Sequence, residues 1–531
     1  MRRFLTIVLA AAVALPVAAA DYYVDSRAGD DANDGLSPAR PWKTLLRVNE
    51  HLFKPGDRLL FKARAVFQGQ LRPHGSGAEG APIVIDAYGE GPKPRIDGEG
   101  KVPAAVYLYN VEYWEVNNLE ITNRGEQRQA GRAGVYVHIE NFGAAHHIVL
   151  KGLEIHDVNG SLVKQQGGGY GIRWRNEGDS KWSRFDGLLI ENCRLRRCER
   201  NGIVGVSAYW KRSKWYPSLN VVIRNNLLEE IPGDGIVPIG CDGALVEYNV
   251  MRNGTRLLPE GEAAAGIWPW SCDNTVIQYN EVSGHKAPWD GQGFDADWNC
   301  RNTLIQYNYS HDNEGGFLLV CTKGDFQGPD NAGNVGTIVR YNISVNDGLR
   351  ATGKHAGFSP VFHISGPVEN THIYNNVVYL MRKPSGEVDR TLVKMGNWGG
   401  PWPVDTRFTN NIFFTEEWTA YDLGRAVRTV FENNVYYGEH RLRPPDARAM
   451  LEDPLFVNPG LFPAGFRAPL GYRLQRGSPC IAAGVPVPDN GGRDFLGQRL
   501  PGNRPPSVGA IEWIGPPGRS PSPGRRPGAG R

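Results

Sequence analysis

Asp295 and Asp297, in the stretch GQGFDADWN, are the residues in this 531-residue chain best spaced for joint chemistry. On an extended strand two residues rise about 6.6 Å, and side chains at i and i+2 leave the same face. Two carboxyl groups held so close fall in the range of glycosidase acid pairs. Neighbouring indoles and like charge push one pKa up, leaving one proton donor beside one base or nucleophile. The competing readings are a Ca²⁺ site or a solvated acidic pair. Glu314 and Asp290, each at the turn leading into a strand, are two further carboxylates able to approach this spot. Trp268 and Trp270, again on alternate residues, suit stacking on a sugar ring; the alternative is burial beneath the insertion 255–265. Arg173 and Arg175 offer bidentate grips for a uronate or sulfate, and His363 and Lys394 complete the candidate substrate contacts. No residue is assigned as a metal ligand and no cofactor is assigned, with Ca²⁺ the one ion the acidic sites could take.

What must position these residues is a repeat. Two β-prone residues, then Asn or an Asn pair, then an apolar residue recur as VNNLEI, IRNNLL, VEYNVM, IQYNEV, IQYNYS, VRYNIS, IYNNVV, FTNNIF and FENNVY. The marked residues are Asn118, Asn226, Asn249, Asn280, Asn308, Asn342, Asn376, Asn411 and Asn434, with Gly152 and Cys193 in the same slot of two weaker copies. Spacings of 23 to 41 residues describe a coil of fixed minimum length carrying insertions. Asn at such a turn tolerates a left-handed backbone and can bond its amide to the next coil. A second strand per coil aligns on a leading glycine: GVYVH, GIRWR, GIVGV, GIVPI, GIWPW, GFDAD and GFLLV, then VFHIS and VKMG. Alternation sends Val135, Val137, Ile172, Trp174, Ile267, Phe294 and Ala296 inward. Outward, one column reads Tyr136, Arg173, Val204, Val237, Trp268, Asp295, Leu318, His363, Lys394. Its neighbour reads His138, Arg175, Val206, Ile239, Trp270, Asp297, Val320, Ser365.

The repeat resembles the right-handed parallel β-helix proteins of the pectate-lyase-like group. The resemblance implies an all-β, single-stranded right-handed parallel β-helix solenoid with N-terminal and C-terminal capping segments. It also implies a carbohydrate-active protein, whose acid pair looks most like that of the glycoside hydrolases of this fold. Polysaccharide lyases share the fold but use a Lys or Arg base. GFDADWN is similar to the G-F-D-P-H motif of mannuronan C5-epimerases, departing from it at Ala296, Asp297 and Val320. A non-catalytic glycan-binding surface is the remaining reading. The expected partner is a polysaccharide or oligosaccharide, an acidic one if Arg173 and Arg175 grip it, bound by a monomer.

The expected organisation is a signal peptide (1–20), an N-terminal cap and first coils (21–100), the β-helix (101–440), a C-terminal capping segment (441–514) and a basic Pro/Gly tail (515–531). Arg2-Arg3, apolar residues 4–17 and Ala18-Ala19-Ala20 have the layout of a secretory signal, predicting a secreted or periplasmic protein with no membrane span. A short helix near residues 44–53 is expected to cover the first coil. The loop Asp30-Asp31-Ala32-Asn33-Asp34-Gly35 reads as a turn, or as a weaker Ca²⁺ loop lacking a distal Glu. A net charge of only +3 gives no footprint for nucleic acid. Seven cysteines is an odd number, and their spacing is not that of a small disulfide scaffold. Cys241, Cys272 and Cys300 recur eight residues before ladder asparagines, as a column of buried thiols would; Cys193 and Cys198 are near enough to pair.

Overall fold

A computed structural model describes residues 19–324, 328–383, 388–460, 464–465 and 467–515. Residues 1–18 of the expected signal peptide and 516–531 of the expected tail lie outside them. Strands separated by one coil of sequence pair in parallel, each with its counterpart one turn on. One sheet of 15 strands forms a complete face of the coil, and the other strands close the remaining faces around a continuous apolar core. This is a right-handed parallel β-helix. A coil can bury its apolar residues only against the coils above and below, so the core runs the length of the stack.

The asparagine ladder has a physical basis. Asn226, Asn249, Asn280, Asn308, Asn342, Asn376 and Asn411 each donate their side-chain amide to the Oδ1 of the next, at 2.9–3.0 Å. Each Oδ1 also takes a main-chain N–H from the coil before it, so buried polar groups are satisfied. Cys193 opens the series and the Asp446 carboxylate ends it. Two sequence expectations are corrected here. The left-handed residue is the one before the ladder position: Asn225, Tyr248, Tyr279, Tyr307 and Tyr341 have φ of 50–57°. Asn118 and Gly152 fall in that left-handed slot, with φ of 54° and 62°, and the ladder position of their coils holds Leu119 and Leu153, both buried. In a VNN or KGL triplet the pattern fits either register, and pairing of Asn117 with Lys151 decides it.

At the N-terminal end a helix, Leu45–Glu50, buries Leu45 and Val48 on the first coils, its N-cap Thr44 accepting from Arg47 N. Asp31 accepts from Lys43 N, Thr44 N and Thr44 Oγ1, Asp30 from Ala32 N, and Asp34 from Leu36 N. The acidic loop thus spends its carboxylates on its own turn. All seven cysteines are free and buried, so Cys193 and Cys198 do not pair. The C-terminal segment runs back along the flank instead of only closing the end: Gly465 N reaches Glu281, Asp489 O receives Arg340, and Ser507 and Gly509 carbonyls receive Asn375. No helix among the described residues is long and apolar enough to cross a membrane.

Candidate active site

The wall that carries the candidate residues is built from successive strands Ala133–Glu140, Tyr170–Glu177, Asn201–Ser207, Ile236–Val237, Gln292–Ala296, Gly316–Cys321, Phe362–Ser365 and Thr391–Gly396. Its register follows the alternation: Tyr136 pairs with Arg173, Arg173 with Val204, and Val204 with Val237. Ile267 bridges Ile236 and Phe294, which stacks Trp268 between Val237 and Asp295. At residues 236–239 and 267–270 the ladder thins to isolated bridges. Pro238 and Pro269 have no N–H to give there, although their carbonyls still accept from Trp270 N and Asp297 N. The residues sent inward are all in the core.

One coil departs from the expected columns. Asp295 pairs with Leu319 and Ala296 with Val320, so Leu318 and Val320 are core residues and the outward positions are Leu319 and Cys321. The double glycine Gly315-Gly316 offers two ways to align the strand, and the second leading glycine is one residue too early. A one-residue slip moves every side chain to the other face. The next coil returns to register, Leu319 pairing with His363 and Cys321 with Ser365.

Asp290, Asp295 and Asp297 open together on a cavity of about 480 Å³. Trp268, Trp270, Trp289, Trp298 and Trp398 line it with Tyr170, Val204, Val206, Val237 and Ile239. Carboxylate oxygens of Asp295 and Asp297 and the Cys321 sulfur lie within 4.8 Å of one another. Asp295 is only 3% exposed, and its Oδ1 is buried without a hydrogen-bond partner. Asp297 is half-buried; its Oδ1 accepts from Trp298 N at 2.7 Å and from the Cys321 thiol at 3.1 Å. Among the described residues no donor reaches Asp297 Oδ2. Asp290 holds a left-handed backbone, φ 58°, pinned where the Arg350 guanidinium donates to its carbonyl. Burial pushes Asp290 up to about 6 and Asp297 up to about 7. Asp295 goes well above the usual carboxylate range, first through burial and then through the charge of Asp297.

The cavity roof comes from residues the repeat does not reveal. Lys164, on the short helical turn Lys164–Gln166 of an insertion, places its ammonium 5.3 Å over the Trp268 ring and 3.6 Å from Asp234. Asp234 is paired at 2.6 Å with the fully buried Arg200, which also holds Glu262 at 2.9 Å. Trp270 packs on Trp210, centroids 5.0 Å apart, so the indoles are partly covered by loops but still face the cavity. Lys164 and Asp234 left a faint signal: one in an insertion, the other beside the leading glycine of its strand. Cys321 would have emerged from aligning coils by core residues instead of glycines.

Other candidates lie elsewhere. Glu314 is outside the cavity, its carboxylate tied to Arg256 at 2.5 Å in a separate pocket with Lys286 and Arg350. His363 is buried between Phe358 and Trp398, held neutral by a pKa pushed down to about 4. Lys394 is paired with Asp422. Arg173 lies over the rings of Tyr136 and Tyr170, and Arg175 is paired with Glu177 at 2.5 Å; neither lines the cavity. His311 bridges Glu281 and Asp312 on another face, as His156 bridges Glu120 and Asp157, so both are turn braces.

Residues 170–379 match the family described as right handed beta helix region, and the chain is a right-handed parallel β-helix protein. It is 30% identical to the lacto-N-biosidase of Bifidobacterium longum subsp. longum over an alignment covering 92% of this chain and 36% of that protein. The chain therefore spans about a third of the length of that relative. The GH136 lacto-N-biosidase of Eubacterium ramulus superposes with TM-score 0.56 at 30% identity, covering 70% of this chain and 65% of that one. XylC, solved with xylose, superposes with TM-score 0.51 at 12% identity, a likeness of fold alone.

Proposed function

We propose that this chain is a glycoside hydrolase that cuts a short, neutral saccharide from an oligosaccharide, with chemistry of the lacto-N-biosidase type. The observation that carries the reading is the convergence of Asp290, Asp295 and Asp297 on one aromatic-lined cavity. A pocket of about 480 Å³ suits the end of a chain better than a continuous polymer strand. Four carboxylates and a single ammonium line it, which favours an uncharged sugar over a uronate. That balance, the buried His363 and the paired Lys394 all count against lyase or epimerase chemistry.

Asp297 is assigned as nucleophile. Two donors on Oδ1 work against the burial that raises its pKa and leave Oδ2 to attack the anomeric carbon. Asp290, partly exposed and without a donor to its carboxyl among the described residues, is assigned as the acid that protonates the leaving oxygen. It then takes a proton from the water that releases the sugar. Asp295 keeps its proton and braces the pair. The test uses natural oligosaccharides beside nitrophenyl glycosides. Asp290→Asn and Asp297→Asn each lose on the order of 10²–10⁴ in turnover of the natural substrate. Only the Asp290→Asn loss shrinks with a nitrophenol leaving group, which needs no acid. Equal losses on both substrates, or an unsaturated uronate product, would overturn the assignment.

A further inference from the structure

Cys321 differs from the other cysteines whose thiol partners are known. Cys193, Cys198, Cys241, Cys272 and Cys300 donate to main-chain carbonyls, whereas Cys321 donates to the carboxylate of Asp297. We infer that Cys321, Asp295 and Asp297 form a binding site for a borderline-soft divalent cation of the Zn²⁺ class, in the cavity floor, so that metal uptake and saccharide cleavage exclude each other. The exclusion rests on the functional reading above; the metal site does not.

Three potential ligand atoms, one from each residue, already stand within 4.8 Å of one another. A tetrahedral Zn²⁺ with bonds of about 2.0–2.3 Å needs them roughly 1 Å closer, within reach of side-chain rotation. A second, independent observation is the Asp295 Oδ1, buried with no partner in a residue 3% exposed. A polar atom left so costs free energy that a cation would return. The thiol selects the ion. Ca²⁺ and Mg²⁺ require oxygen ligands, whereas thiolate beside carboxylate favours Zn²⁺ or Cd²⁺. Three protein ligands leave the fourth position facing the cavity, for a water. On binding, the Cys321 S–H bond breaks, sulfur forms the metal bond, and its proton leaves to solvent with any proton the two carboxyls hold. No electron is transferred. A cation held by the Asp297 carboxylate neutralises its charge and withdraws it as a nucleophile.

The test titrates the metal-free full chain with Cd²⁺, whose thiolate charge-transfer band near about 240 nm reports a sulfur ligand, and with Zn²⁺ by calorimetry in two buffers. The expected result is one equivalent bound with proton release, and a Cd²⁺ band at the same stoichiometry. Ca²⁺ at millimolar excess should not compete. Cys321→Ser should remove the band and weaken Zn²⁺ binding at least tenfold; Asp297→Asn should weaken binding with Cys321 intact. Absence of the band in the wild-type chain, or a band unchanged in Cys321→Ser, would overturn the site. Zn²⁺ that binds without slowing cleavage would overturn the exclusion. Absence of cleavage by the metal-free protein would instead sink the functional reading and leave the binding signal standing.

Discussion

Asp290, Asp295 and Asp297 share one cavity in which mutual repulsion opposes full ionisation, a restriction that bears on stability and on the proposed activity. With Asp295 proton-bound, Asp290 and Asp297 need one proton between them to act as acid and nucleophile. Their values of about 6 and about 7 put that proton on Asp297 in the free protein, so the reactive form, with the proton on Asp290, is the minor one until substrate binds, and the maximum of kcat falls in the weakly acidic range. Activity falls as the pair gains a second proton or loses its last; an optimum above pH 8 would contradict this. Each folded-state pKa is raised above the unfolded value near 4, so the stability these groups contribute is complete below about pH 4. It is lost as pH rises through 6 and 7. Asp295→Asn cannot ionise, so it should be more stable than wild type at pH 8 and no more stable at pH 4, in denaturant unfolding. It should also keep at least a tenth of the activity, because Asn mimics the protonated acid. At the same scale Trp270→Ala should raise KM about tenfold by removing a stacking face worth ~1–1.5 kcal/mol, with kcat little changed.

The strand is the element that turns residue spacing into geometry, and its register is enforced on the opposite edge of the coil by the ladder. Asn308 supplies the acceptor for both Asn280 N and Asn280 Nδ2 and donates to Asn342 and Ile277. Asn308→Ala strands the buried Asn280 N–H and takes one of three acceptors from Asn280 Nδ2, and should cost on the order of 2 kcal/mol in equilibrium unfolding. A loss below about 0.5 kcal/mol would mean that packing alone holds the register. Leu119 and Leu153 show that an apolar residue serves at the same slot once the whole local row is apolar. Tyrosines spend backbone strain in the left-handed turn, and stacking offsets it: Tyr248, Tyr279 and Tyr307 follow one another at 5.0 Å.

At the scale of the molecule, the stack is tied together by its own C-terminal segment. The residues after 450 bury Phe456, Tyr472, Leu474, Cys480 and Phe495 with Tyr309, Ile343, Val377 and Ile412 of the coils. Asn375, Asn410 and Asn433, on the flank, bond carbonyls of residues 483–509. A chain ending at residue 452 leaves that apolar flank and those amides bare. It should lose cooperative unfolding and aggregate, although the wall of the candidate site is untouched in sequence; light scattering and circular dichroism would show it. Soluble, active truncated protein would refute the tie.

By itself the sequence determined the coil, the inward and outward faces, and the meeting of the WxW indoles with the DxD acids, because period-2 alternation and a 23-residue minimum are local properties. It also marked Asp290, which joins them in the cavity. Only the tertiary structure decided which outward residues share a site. Glu314, His363, Lys394, Arg173 and Arg175 carry suitable chemistry, but Arg175 pairs with Glu177 on its own strand and the other four are engaged or buried by residues distant in the chain. Lys164, Asp234 and Cys321 enter the cavity through an insertion, a turn and a one-residue slip. Such long-range placements are settled by how whole coils stack and where their loops land, and no short-range pattern records them.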